Sequence, residues 1–208
     1  MEDVFTRIYL ENGWKSAESR SGPSSTLART KTLRDGLPQL MGAFNIRTIV
    51  DAPCGDFNWM RSFVEGQSFS YIGGDIVLPM IKDHQAEFKG NRRVKFKHLD
   101  ITQDKLPQAD LMLCRDCLFH FSYEDTLKVL KNFLSADIPY LLTTTHYNKG
   151  QIVNRDIRTG GWRMMDLFEA PYNFPADVLF RIVDGGGDRE MCLWSRDQVA
   201  EVVAHWPQ

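Results

Sequence analysis

The sequence predicts an α/β fold, a mostly parallel sheet with helices on both faces, from three observations. From Thr48 onward short β-branched or apolar runs alternate with stretches of helical periodicity, the order that builds a parallel sheet through crossover connections. Two of the early runs, Thr48–Asp51 and Tyr71–Asp75, stop at a carboxylate followed by a turn, as strands do where an α/β sheet meets a ligand. Near the end Val178–Asp184 and Glu190–Trp194 flank the turn Gly185-Gly-Gly-Asp188, a hairpin signal and so an antiparallel pair.

In chain order, residues 1–46 should hold a short amphipathic helix over Val4–Glu11, then a turn-rich segment, Asn12–Ser25, that no core would take in. Either polar contacts fix that segment or it stays mobile, and Gly13-Trp14 with Ser19–Thr26 is expected to form a lid. Ser25-Thr26 offers an N-cap for a helix whose Leu27, Thr30, Leu33, Leu37 and Leu40 keep helical spacing to Phe44, with Pro38 marking a kink or restart. Residues 47–146 read as the cofactor-binding half. Its strands are Thr48–Asp51, Tyr71–Asp75, Val94–Leu99, Asp110–Arg115 and Tyr140–Thr145, and its helices lie near Asn58–Val64, Pro79–Phe88 and Tyr123–Leu134. Residues 147–177, rich in Gly, Pro, Asn and Arg, have the length of a functional loop, and residues 178–208 hold the hairpin and a last helix.

At 208 residues and 43% hydrophobic content the chain can bury one core, and no linker divides it, so a single domain is expected. Twenty-five basic against twenty-seven acidic residues, mixed along the chain, argue against duplex nucleic acid or an anionic membrane as partner. No apolar run is long enough to span a bilayer, and the charged start lacks a signal-peptide core, so a cytoplasmic location is expected. Nothing in the sequence addresses oligomeric state. Cys54, Cys114, Cys117 and Cys192 are too few for a disulfide framework, and Cys114-Arg-Asp-Cys117 has no second pair to complete a metal site, so no metal is expected.

The stretch Thr48-Ile-Val-Asp-Ala-Pro-Cys-Gly-Asp-Phe-Asn-Trp59 leads from a strand through a Gly-containing turn into a helix whose first N–H groups face a ligand. Asp75 follows at the spacing where α/β folds hold a ribose diol; the competing reading is a solvated turn aspartate. Asp51-Ala-Pro-Cys-Gly-Asp-Phe57 resembles the first motif of class I S-adenosylmethionine-dependent methyltransferases, and the order of elements resembles theirs from about Thr48 to Trp194. Of the three usual glycines only Gly55 is present; Pro53 and Phe57 hold the outer positions, where the backbone should be less free to take positive φ. Ala52-Pro-Cys-Gly-Asp-Phe-Asn-Trp59, with Ser21-Gly-Pro-Ser-Ser-Thr26, is similar to a bacterial branch of that superfamily.

The resemblance implies a Rossmann-like, seven-stranded sheet closed by the antiparallel hairpin, with S-adenosylmethionine as cofactor. Asp51 would offset the cofactor's ammonium group, Gly55 would allow close approach, and Pro53, Phe57 and Trp59 would wall that end, unless the two aromatics at the start of the helix are simply core. Asp75, with Ile76 beside it, would take the ribose hydroxyls. Asp100 would accept from the adenine amine while Ile101 packs on the ring, unless Asp100 is an N-cap. Arg115, Asp116 and His120 would lie near the transferred methyl group, with His120 either a base or a packing residue and the same choice open for His146. Asn154, Arg155, Arg158 and Arg163 suit bidentate recognition of phosphate or carboxylate, or else pin their own loop. The implied function is methyl transfer to a small polar or anionic acceptor, a glycan precursor or sugar-linked compound. Two rivals remain: a cofactor-binding module without chemistry, and a nicotinamide-dependent reductase, disfavoured because no Gly-x-Gly-x-x-Gly follows the first strand.

Overall fold

A computed structural model describes residues 1–207. Helix α1 (Glu2–Leu10), a single 3-10 turn at Pro23–Ser25 and helix α2 (Lys31–Ala43) precede strand β1 (Thr48–Asp51). There follow α3 (Asn58–Val64), β2 (Ser70–Asp75), α4 (Leu78–Glu87), β3 (Val94–His98), β4 (Leu111–Cys114), α5 (Tyr123–Ser135) and β5 (Tyr140–His146). Strands β6 (Phe180–Asp184) and β7 (Arg189–Ser195) and helix α6 (Arg196–Ala204) complete the chain. The strands form one seven-stranded sheet in the order β3-β2-β1-β4-β5-β7-β6. All pairs among β1 to β5 are parallel, and β7 runs antiparallel to both β5 and β6. This is the α/β Rossmann-like architecture expected.

Side chains alternate across a strand, so successive residues feed opposite cores. Ile49, Leu111, Leu113, Leu142 and Leu193 join Leu33, Leu37 and Leu40 of α2 and Met60 and Phe63 of α3. Val50, Met112, Cys114, Leu141 and Trp194 join Val129, Leu130 and Phe133 of α5 and Val199 and Val202 of α6. Ser122 caps α5 by accepting the Asp125 N–H, and Ser195 with Gln198 forms a reciprocal capping box on α6. Helix α2 packs so closely on β6 that a Cβ on Gly36 would lie 2.8 Å from Ile182.

Two elements differ from expectation. Helix α2 starts at Lys31 rather than after Thr26, because Pro23–Ser25 is taken up in the 3-10 turn, and it runs on through Pro38. Residues 147–177 form no helix; residues 147–162 stay at the surface, whereas Met165, Leu167, Tyr172 and Phe174 are buried with α5 and α6. No helix is long and apolar enough to cross a membrane.

Candidate active site

Strand β1 has β2 on one side and β4 on the other, so the chain's crossovers diverge there and leave a crevice at the carboxyl ends of the strands. A cavity of 310 Å³ occupies it. Asp51, Pro53, Gly55 and Trp59 line it from the end of β1, its loop and α3, Asp75 and Ile76 from the end of β2, Asp100 and Ile101 from just after β3, and Arg115, Asp116 and His120 from the connection after β4.

The loop after β1 departs from expectation at Phe57. Its φ is +60°, so a phenylalanine takes the left-handed conformation that its side chain was expected to discourage. That conformation costs an L-residue roughly 1 to 2 kcal/mol, and burial of the ring offsets it. Phe57 is 1% exposed and its ring packs on Tyr71, Phe88 and Phe96. It therefore belongs to the core rather than to a cofactor pocket wall. Gly55, at φ +55°, is needed for a close approach from within the chain: a Cβ there would lie 2.2 Å from Ser21 Oγ.

Asp75 is buried, its Oδ2 accepting the Gly55 N–H at 3.0 Å and its Oδ1 the Val77 N–H at 3.0 Å. Burial pushes its pKa up, against those backbone donors. Asp51 accepts the Tyr71 hydroxyl at 2.7 Å, and burial raises its pKa to about 7, opposed by Tyr71 and the Arg115 guanidinium. Asp100 caps a turn, its Oδ1 accepting from the Thr102 N–H and hydroxyl and its Oδ2 from Gln103. The N-cap reading of Asp100 is thus seen in the geometry, although the residue also lines the cavity.

The polar front segment is pinned to the β1 loop. The Ser19 hydroxyl and the Arg20 N–H donate to the Asp56 carboxylate at 3.0 and 2.6 Å, and the Asp56 N–H donates to Ser21 Oγ at 2.8 Å. Asn58 Nδ2 reaches Glu18 and the Ser25 carbonyl. Residues 20–25 consequently roof the cavity together with Met1, which caps α1, and Phe5 and Tyr9 of α1. Those three escaped the sequence reading, although their spacing of four sets them on one helix face.

At the end of β4, Arg115 donates to Asp184 in bidentate fashion at 2.9 and 3.2 Å and to the Ser24 carbonyl, with its guanidinium 5.6 Å from the Trp59 ring centre. Arg189 donates to Asp184 at 3.2 Å and to Asp116 at 3.1 Å, and Asp116 also lies 3.2 Å from Arg115, so the four charges close a ring. Asp184 and Arg189 were missed because the hairpin read only as structure. His120 Nδ1 sits 2.7 Å from the Gly161 carbonyl, and Trp14 packs on its ring at 4.7 Å. A carbonyl only accepts, so Nδ1 carries the proton and Nε2 keeps its lone pair. Burial lowers the His120 pKa.

His146 is not part of this arrangement. It is buried outside the cavity lining, and its Nδ1 accepts the Met165 N–H at 3.2 Å. Its one lone pair is spent on that bond, which removes it as a base. The four residues assigned to the acceptor are also elsewhere. Asn154 Nδ2 donates to the carbonyls of Asp166, Glu169 and Ala170, tying its own loop. Arg155 and Arg158 are exposed and do not line the cavity. Arg163 is buried and donates to the Phe121 carbonyl and the Tyr172 hydroxyl. The loop-pinning reading fits these residues, and Trp162 alone of residues 147–177 reaches the cavity. Cys114 and Cys117 are buried free thiols, and among the described residues no group of three or more candidate ligands could hold a metal.

No protein-family model and no curated protein matches the sequence. Solved structures do match the fold. A Burkholderia thailandensis 1,6-didemethyltoxoflavin-N1-methyltransferase, solved with bound 1,6-didemethyltoxoflavin and S-adenosylhomocysteine, is similar at a TM-score of 0.64 and 14% identity, covering 93% of this chain and 87% of that one. Human N-acetylserotonin methyltransferase in complex with SAM gives 0.60 and 15%, covering 93% of this chain and 59% of that one. PigF with SAH gives 0.60 and 14%, over 80% and 55%. The chain shares its fold with these methyltransferases. At such identities the likeness concerns the fold, and the chain matches just over half the length of the last two.

Proposed function

We propose that the chain is an S-adenosylmethionine-dependent methyltransferase acting on a small polar acceptor. The observation that carries this reading is the convergence of Asp51, Gly55, Asp75 and Ile101, from three separate strand ends, on one cavity at the switch in strand order. The residues fit such a cofactor: Asp75 keeps lone pairs for a ribose diol beyond its two backbone bonds, and buried Asp51 has no cation in direct contact. When bound, the cofactor supplies a methyl group already activated by its sulfonium, so the protein's task is placement and, for a protonated acceptor, removal of a proton.

His120 suits that last task. Its Nε2 lone pair is held in place by the Gly161 carbonyl behind it and Trp14 beside it, and the lowered pKa keeps the ring neutral near pH 7. The front segment acts as a lid, its contacts with Asp56 closing over the cavity. Polar recognition of the acceptor falls to Asp116 and its neighbours now that the arginines of residues 154–163 lie elsewhere. The sugar-linked part of the expectation rests on the resemblance alone.

Calorimetry tests the reading. S-adenosylmethionine and S-adenosylhomocysteine should bind and NADH should not; micromolar NADH binding without either sulfur cofactor would overturn it. The ammonium group pairs with an ionised Asp51, so binding must expel the proton that Asp51 carries below about pH 7. Affinity should therefore rise with pH up to that value and level off above it, falling by up to about tenfold per pH unit on the acid side. Asp51→Asn should flatten the profile, and a flat wild-type profile would remove Asp51 from the ammonium site. For the lid, saturating S-adenosylhomocysteine should slow hydrogen exchange across Trp14–Thr26. Equal exchange with and without it would make the segment merely structural.

A further inference from the structure

The ring of Arg115, Asp184, Arg189 and Asp116 offers more than its members need for each other. Asp184 is fully buried and takes three guanidinium N–H groups. Arg189 is over nine-tenths buried, with Nε on Asp184 and Nη2 on Asp116. Its Nη1 has no hydrogen-bond partner among the described residues and is not sealed from solvent, and Arg189 lines the cavity. Beside it, Asp116 Oδ2 is engaged by the arginines, while Oδ1 has only the Thr144 hydroxyl at 3.5 Å. A buried ion network repays its desolvation only when its donors and acceptors are matched. This one leaves a donor and an acceptor side by side.

The backbone around the ring is shaped to that end. Asp116 has a φ of +52°, a strained conformation for a residue with a side chain and one concentrated at functional sites. At Gly185, φ +67°, a Cβ would come within 3.0 Å of the Arg189 Cζ and Nη2, so the glycine turn is what leaves room for the guanidinium. Trp14, Phe119 and Trp162 line the same cavity and favour a flat occupant.

We propose that Arg189 is a specificity-determining residue of the acceptor site, acting with Asp116 to select a small planar acceptor whose hydroxyl or amine lies beside a carbonyl or carboxylate oxygen. The proposal rests on the methyltransferase reading above. In the bound acceptor Asp116 Oδ1 accepts a hydrogen bond from the hydroxyl or amine, orienting it without removing its proton, and Arg189 Nη1 donates to the neighbouring oxygen. The ring's charges cancel, so a neutral carbonyl and a carboxylate are both admissible; a lone anion is not what the pair matches.

The test uses the full chain saturated with S-adenosylhomocysteine, titrated with salicylate, whose hydroxyl adjoins a carboxylate, and with 4-hydroxybenzoate, whose same two groups are apart. Salicylate should bind at least about tenfold more tightly than its isomer. Arg189→Met should remove that preference while leaving the S-adenosylhomocysteine dissociation constant within about a factor of two. Arg189→Lys keeps the charge on the ring but lacks the second terminal nitrogen, so it should lose the preference too, even if the Met variant fails to fold. Equal binding of the isomers, a preference retained in Arg189→Lys, or no salicylate binding to a protein that holds S-adenosylhomocysteine would overturn this proposal alone. Failure to bind S-adenosylhomocysteine would overturn the methyltransferase reading, and this proposal with it.

Discussion

Asp75→Ala is expected to weaken cofactor binding by about 1.5 to 3 kcal/mol, the worth of hydrogen bonds to a charged group, which is roughly 10- to 150-fold in the dissociation constant. The loss has two sources. The ribose diol loses its acceptor, and the Gly55 N–H loses the carboxylate that holds the β1 loop at 3.0 Å. The variant should still fold. Asp75 has a folded pKa above its ordinary value of 3.8, so its charge burdens the native state increasingly as pH rises past that value. Its removal lifts that burden, against the two backbone bonds forgone. Asp75→Asn, which keeps one carbonyl oxygen, should fall between wild type and Asp75→Ala. Calorimetry with S-adenosylhomocysteine checks both, and an unchanged dissociation constant in a folded Asp75→Ala protein would rule out the ribose role.

The parts of the site that could be read from sequence are those carried by one strand and its turn. Asp51, Gly55, Asp75 and the Asp100-Ile101 pair follow from where an apolar run stops, because a parallel strand buried on both faces carries a carboxylate only at or beyond its last residue. The hairpin was legible in its glycines and the front helix in its spacing. Phe57 was misread because its positive φ is sustained by packing on Tyr71, Phe88 and Phe96, contacts that no local pattern announces. The charge ring was invisible for the same reason: Arg115 meets Asp184 across 69 positions, and Asp116 meets Arg189 across 73. Residues 147–177 misled in the other direction. Arginine and glycine in a long connection resemble a binding loop, whereas Met165, Leu167, Tyr172 and Phe174 pack the second half of the segment into the core beside α5 and α6.

Arg163 shows the consequence most sharply, and Arg163→Ala is expected to act on stability rather than on the acceptor. The side chain is 1% exposed. Its Nη1 donates to the Phe121 carbonyl at 2.5 Å, its Nη2 to the Tyr172 hydroxyl, and its guanidinium lies 5.3 Å from the Tyr123 ring centre. It fastens residues 162–172 to the start of α5. Truncation leaves a void and strips a buried carbonyl and a buried hydroxyl of their donors, together costing about 3 to 5 kcal/mol. For a domain of this size that is a fall in thermal midpoint of roughly 6 to 20 °C. Cofactor affinity measured well below the midpoint should stay within about a factor of two of wild type, since Arg163 does not line the cavity. Scanning calorimetry decides the matter: a midpoint unchanged beside a turnover lowered by about tenfold would return Arg163 to the acceptor site, because only contact with the reacting molecule could separate the two.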